Sequence, residues 1–256
     1  MIKAIAVDMD GTFLDTNKQF DRNRFETIFK ELIDKNIKFI AASGNQFAKL
    51  KSIFGDREMF FISENGAVIY KGNQLYNYRS FDQYIFQKVV NYLNLNQKIN
   101  NLIICGVKSA YILKETSEAF KQDARTYYHQ LIEIDSLQTL PDDDYVKIAF
   151  NINRQTHPDL DEKLALKFKE DIKLVSSGRD SIDVIMPNMT KGQALSRLLK
   201  EWQMPASHLM AFGDANNDKD MLELAEHSYV MANSEDKSLF FFKQKTAYEM
   251  CVSDWS

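Results

Sequence analysis

Short blocks of consecutive apolar, largely β-branched residues alternate along this chain with stretches in which apolar positions recur every three or four residues. The first block, Ile2 to Val7, reads as a buried strand that Asp8 stops. Asp21 then caps a predicted helix whose apolar face is Phe25, Ile28, Phe29, Leu32 and Ile33. Lys38 to Ala42 is a second strand, followed by the turn Ser43-Gly44-Asn45 and a short helix ending near Gly55. Met59 to Ile62 is a third. Strands alternating with helices in this way predict a parallel sheet with right-handed crossovers.

The rhythm then changes. Turn signals at Asn65-Gly66 and Lys71-Gly72-Asn73 flank Ala67 to Tyr70 and predict a small antiparallel hairpin. Between about Phe81 and Met186, helices over Tyr84 to Leu93 and Leu160 to Lys169 mix with strands. Those strands are Leu102 to Cys105, Ser109 to Leu113, Val146 to Ile152, Ile172 to Val175 and Ser181 to Met186. The alternating pattern resumes with a helix over Lys191 to Trp202, a strand at Leu209 to Phe212, a helix over Asp218 to Ala225 and a strand at Ser228 to Met231. The reading is a discontinuous α/β core, residues 1–80 and 187–256, with an α+β domain, 81–186, set into it. From Leu239 onward neither a helix face nor strand alternation is visible. That tail reads equally as a final strand with an extension or as a segment foreign to the fold.

Composition narrows the function classes. The 256 residues are 45% hydrophobic and 27% charged, ordinary globular values, and the formal net charge is -4 with the signs interspersed. No basic stripe stands out, so nucleic acid is not expected as a partner. No apolar run approaches 18 residues and the N-terminal one is too short for a leader, so neither a membrane span nor secretion is expected. Cys105 and Cys251 form no CxxC or disulfide framework, which suits a cytoplasmic protein. The sequence is silent on oligomeric state.

The chemistry concentrates at predicted strand ends. Asp8-Met9-Asp10-Gly11-Thr12 closes the first strand. Carboxylates two positions apart on extended chain project to one side, and such a pair needs a cation or a shared proton. A calcium loop also begins DxD, but Asn17, Lys18 and Gln19 do not continue it. Gly213-Asp214-Ala215-Asn216-Asn217-Asp218 follows a second strand, and Asp214 would complete with Asp8 and Asp10 a hard, oxygen-only site suited to Mg2+. The bland alternative is that Asp214 to Asp218 only turns and caps the next helix. Ser43-Gly44-Asn45 offers a hydroxyl and backbone N–H groups to an anion. Lys191, after Thr190, sits in a first helical turn against the dipole preference. The four histidines show no metal-ligand spacing. There is no GxSxG elbow and no GxxxxGK[ST] loop.

In this order and spacing the four signals resemble the motifs of the haloacid dehalogenase superfamily of phosphatases. The long insert and Glu64-Asn65-Gly66-Ala67 are similar to its Cof-type branch with a class IIB cap. AVDMDGTFL, ASGNQ, Cys105-Gly106 to Ser109-Ala110-Tyr111 and SRLLKEW are similar to the broad-specificity sugar phosphatases of that branch. The resemblance covers residues 1 to about 238. It implies a Rossmann-like, doubly wound parallel core with an inserted cap acting as a lid. It also implies Mg2+-dependent hydrolysis of small phosphorylated metabolites, sugar phosphates above all, through an aspartyl phosphate. By position, Asp8 would be nucleophile and metal ligand, Asp10 acid/base and ligand through its carbonyl, and Asp214 the third ligand. Ser43, Gly44, Lys191 and Asn217 would hold the phosphoryl group, with Thr12, Asn45 and Asp218 in support. Arg179, after Ser177-Gly178, is a candidate contact to the leaving group. A phosphomutase, or a catalytically silent phosphate-binding module, would use the same residues.

Overall fold

The computed structural model describes residues 1–176 and 181–234. Ser177, Gly178 and Arg179, Cys251 and the tail from Leu239 therefore lie outside the described residues. In chain order the first elements are β1 (Ala4–Asp8), α1 (Arg22–Asp34), β2 (Lys38–Ala42), α2 (Phe47–Phe54), β3 (Phe60–Ser63), β4 (Val68–Lys71) and β5 (Gln74–Tyr78). They are followed by α3 (Gln83–Asn91), β6 (Leu102–Gly106), β7 (Ala110–Leu113), α4 (Glu118–Tyr127), β8 (Leu131–Ile134), β9 (Tyr145–Asn151), α5 (Leu160–Phe168), β10 (Lys173–Ser176) and β11 (Ser181–Ile185). The last are α6 (Lys191–Glu201), β12 (Leu209–Gly213), α7 (Lys219–Leu224) and β13 (His227–Val230).

Two compact units emerge. Among the described residues, the first comprises Met1–Ser43, Asp56–Tyr76 and residues 190–234. Its seven-stranded sheet has the order β13-β12-β1-β2-β3-β4-β5. Five of these strands run parallel, and β4 turns antiparallel against β3. Ala6, Val7 and Asp8 of β1 and Phe39 to Ala42 of β2 are all buried, as continuous apolar runs in a covered parallel sheet require. Ala194, Leu195 and Leu198 of α6 and Met221 and Leu222 of α7 complete that core with Ala4, Ile40, Ile62 and Ala211. On α1, whose N-cap Asp21 accepts from the Arg24 N–H, Phe25, Phe29 and Leu32 are buried, whereas Ile33 is exposed.

The second unit comprises Gly44–Gly55 and Asn77–Met189. Its six-stranded sheet has the order β10-β11-β9-β6-β7-β8, antiparallel except where β8 joins β7 in parallel. Phe86, Val89 and Leu93 pack with Ile104, Ile148, Phe150, Leu164 and Val184 in a core of its own. Two elements here escaped the periodicity, α4 and β8. The buried face of α4 is Lys121 and Ala124, so a lysine stem replaces the apolar residue that would have marked it. β8 is a four-residue edge strand with one buried side chain.

Candidate active site

In the first unit the chain leaves β1 toward β2 and β3 on one flank and returns as β12 and β13 on the other. β1 and β12 thus flank the point where strand order reverses, with Ala4 to Val7 opposite Leu209 to Phe212. Ligands of open α/β sheets bind at such a switch point, beyond the carboxyl ends of the strands. Asp8 is the last residue of β1, and Asp214 directly follows β12.

Lys191 anchors the geometry. It opens α6, whose N-cap Thr190 accepts from the Gln193 N–H. Only 1% of Lys191 is exposed. Its Nζ donates to Asp8 Oδ1 at 2.5 Å and to Asp218 Oδ1 at 2.7 Å. The other oxygen of Asp218 accepts from the N–H groups of Asp214 and Ala215, each at 3.1 Å. With both oxygens engaged, Asp218 fixes the Asp214 loop and the Lys191 head together. Among the described residues, the carboxylates of Asp8, Asp214 and Asp218 form a cluster in which the three oxygens lie within 4.8 Å of one another.

Two of these acids, Asp8 and Asp214, and the ammonium of Lys191 depart from their ordinary titration. Burial pushes the Asp8 carboxyl well above its ordinary 3.8; Lys191 opposes this, and the charges of Asp218 and Asp214 reinforce it. Burial likewise raises Asp214, against the Thr12 hydroxyl and with the push of Asp218. For Lys191 burial acts downward, but the charges of Asp218 and Asp8 outweigh it and hold the ammonium above its ordinary value. Like charges no farther apart than 4.8 Å repel by roughly 3 kcal/mol or more at an effective dielectric of about 20. The oxygen-only donors and the excess of negative charge fit a hard divalent cation.

The loops around the cluster are tied to it. Thr12 Oγ1 donates to Asp214 Oδ1 at 2.9 Å. Gly11 has φ +89°, and a Cβ there would lie 2.3 Å from Asp214 Oδ2, so only glycine lets the two loops meet. Asn233 donates to the Gly11 carbonyl at 2.9 Å, and the Ser234 hydroxyl donates to the Asp214 carbonyl at 2.5 Å. Sequence reasoning missed Asn233 and Ser234. Their signal was position: they follow β13, another parallel strand, at its carboxyl end.

The remaining expected positions divide. The carboxylate of Asp10 stands outside the three-acid cluster and pairs with Lys18, Nζ to Oδ1 at 2.7 Å. Ser43 is buried at the end of β2, its N–H donating to the Ile62 carbonyl and its carbonyl accepting from the Asn65 N–H. Asn217 is half-buried and donates to Asn65 Oδ1 at 3.4 Å. Gly44 and Asn45 belong to the second unit, where the Gly44 carbonyl accepts from Lys147 at 2.8 Å. Lys147 is itself buried 3.4 Å from Asp183. That pair was also missed, although each is a lone charge inside an otherwise apolar strand.

The sequence-family model of the haloacid dehalogenase-like hydrolases matches residues 5–243. The chain belongs to this family. Among curated relatives of this haloacid dehalogenase-like hydrolase is YbjI of Escherichia coli K12, a 5-amino-6-(5-phospho-D-ribitylamino)uracil phosphatase. It is 36% identical over 91% of this chain and 86% of its own length. The phosphatase YwpJ of Bacillus subtilis is 28% identical over 92% and 91%. A crystal structure of a Streptococcus mutans UA159 protein superposes with a TM-score of 0.85 at 32% identity, covering 94% and 91% of the two chains. No helix among the described residues is long and apolar enough to cross a membrane.

Proposed function

We propose that this haloacid dehalogenase-like hydrolase is a cytoplasmic, magnesium-dependent phosphatase of small phosphorylated metabolites, sugar phosphates among them, working through an aspartyl phosphate on Asp8. The observation that carries the reading is the convergence of the Asp8 and Asp214 carboxylates with the Lys191 ammonium at the switch point of the sheet. The relatives that span most of the chain are phosphatases. The phosphorylated ribityl chain named for YbjI supports a phosphate ester on a polyol as substrate. We take residues 81–186, within the second unit, as the cap of the Cof-type branch.

Asp8 and Asp214, with the backbone carbonyl of Asp10, would hold Mg2+, which supplies a positive charge against the repulsion between carboxylates and phosphate. Lys191 holds Asp8 Oδ1, which leaves Oδ2 to attack phosphorus in line with the departing alkoxide. The P–O bond to the leaving group breaks as Asp10 gives that oxygen its proton. Asp10, now a carboxylate, takes a proton from water, whose oxygen attacks the same phosphorus and returns Asp8 with orthophosphate. Lys18 sits on Asp10, so Asp10 must release this exposed partner to do either task. Ser43 and Asn217 would receive the phosphoryl oxygens.

The test is orthophosphate release from p-nitrophenyl phosphate and from a panel of sugar phosphates, with Mg2+ or with EDTA. Asp8→Asn should lose at least about a thousandfold in kcat while its circular dichroism is unchanged. Substantial turnover by that variant, or equal wild-type turnover in EDTA, refutes the assignment.

A further inference from the structure

The tripeptide Glu64-Asn65-Gly66, between β3 and β4, has no part in the mechanism above, yet its construction is unusual. All three residues have positive φ, 50°, 57° and 108°, and two of them are not glycine. All three are buried, Asn65 to 2% exposure. Two consecutive non-glycine residues in the left-handed region, away from solvent, are costly and persist only where surroundings impose them.

Those surroundings are three of the four motif loops. The Asn65 N–H donates to the Ser43 carbonyl at 3.1 Å. Gly66 lies so close to the start of α6 that a Cβ on it would fall 2.2 Å from the Thr190 carbonyl oxygen, one residue before Lys191. The Gly66 carbonyl accepts from Arg197, on the same helix, at 2.8 Å. The Asn65 Oδ1 accepts from the Asn217 amide at 3.4 Å. One turn thus touches the loop after β2, the N-terminus of α6 and the loop after β12.

We propose that Asn65 is a positioning residue that, through this hydrogen bond to Asn217, sets the orientation in which the Asn217 amide meets the phosphoryl group. The inference rests on the reading of Asn217 as a phosphate contact given above. An Asn217 amide with one N–H directed at Asn65 keeps its second N–H and its rotamer fixed. Released, it samples other rotamers and meets the anion less often. Because a phosphate contact of this kind is made to substrate and transition state alike, its loss falls on KM and not on kcat. The left-handed backbone of Asn65 is separable from its side chain, since glycine adopts the same φ without strain.

Asn65→Gly therefore keeps the turn and the N–H bond to Ser43 and removes only the amide. In magnesium-dependent hydrolysis of p-nitrophenyl phosphate it should raise KM, and the inhibition constant of orthophosphate, by about three- to tenfold, with kcat held within about twofold. In an Asn217→Ala background the same substitution should change neither value further. If Asn65→Gly does not fold, Asn65→Ser, whose hydroxyl is too short to reach Asn217, should give the same pair of results. A fall in kcat with KM unchanged, wild-type values throughout, or an effect that persists in the Asn217→Ala background overturns the inference and leaves the phosphatase reading standing. A wild-type protein that neither turns over the ester nor is stabilised by orthophosphate with Mg2+ overturns both.

Discussion

The ammonium of Lys191 lies 2.5 Å from a carboxylate oxygen of Asp8, and both side chains are buried. A pair of this kind is weak evidence for stability as a whole, because desolvation cancels much of the attraction. Removing one partner is another matter, for it strands the other charge. Lys191 also serves Asp218, so its loss strands two carboxylates. Lys191→Met should therefore destabilise the metal-free protein by about 3–5 kcal/mol in urea denaturation at pH 7.5. The penalty should shrink at pH 5, toward which the raised Asp8 carboxyl takes up its proton. A loss below about 1 kcal/mol at pH 7.5 would mean that these acids are already neutral or solvated.

The same crowding predicts how the protein responds to metal. Asp8, which is buried, and Asp214, which is half-buried, bring like charges together. A cation bound only by the folded state stabilises it by about 2.7 kcal/mol at a hundred times its Kd. Mg2+ should raise Tm relative to EDTA. Asp214→Asn removes one of the repelling charges while preserving an acceptor for Thr12. It should melt no lower than wild type in EDTA and show little or no rise with Mg2+. A variant that keeps the full magnesium shift would remove Asp214 from the ligand set.

These acids were legible in the sequence because they stand at strand ends, and strand ends were marked by runs such as Ile2 to Val7 and Leu209 to Phe212. The register that brings Asp8 to Asp214 follows from β1 and β12 lying side by side. What the sequence hid were contacts made by backbone or by side chains of ordinary appearance. Asn65 reads as half of a turn dipeptide, and nothing local says that its N–H and amide meet Ser43 and Asn217. Lys121 reads as a surface charge, and only the packing of α4 shows it buried against Glu133, 2.7 Å away. Asp10 reads as a twin of Asp8, but its carboxylate pairs with Lys18 instead of entering the acid cluster.

The raised Asp8 carboxyl has a consequence for acid behaviour. A carboxyl whose folded value exceeds its unfolded one binds its proton more tightly in the folded state. The stability it contributes is fully present below the ordinary value of 3.8 and is lost as pH rises through the elevated one. In EDTA, Asp8→Asn should therefore gain on wild type as pH is raised from 5 to 7, at most about 1.4 kcal/mol per pH unit. Denaturation midpoints for the two proteins across that range measure it. Parallel curves would show that Asp8 is ionised throughout, held by Lys191 alone.

Gly11 separates the geometry of the site from its charge. No ionisable group is lost in Gly11→Ala, yet the new methyl would sit 2.3 Å from Asp214 Oδ2, and the residue must keep a φ of +89°. The left-handed conformation alone costs an alanine about 1–2 kcal/mol, a loss the fold can bear. The side chain in the way is the proposed metal ligand, which must swing off and break its bond from Thr12. The expected outcome is a fall of two orders of magnitude or more in kcat/KM, about 2.7 kcal/mol in the transition state, from a protein destabilised by less than that. The apparent Kd for Mg2+, read by thermal shift, should weaken in step. Activity that falls only as far as the folded fraction does would place the role of Gly11 in folding alone.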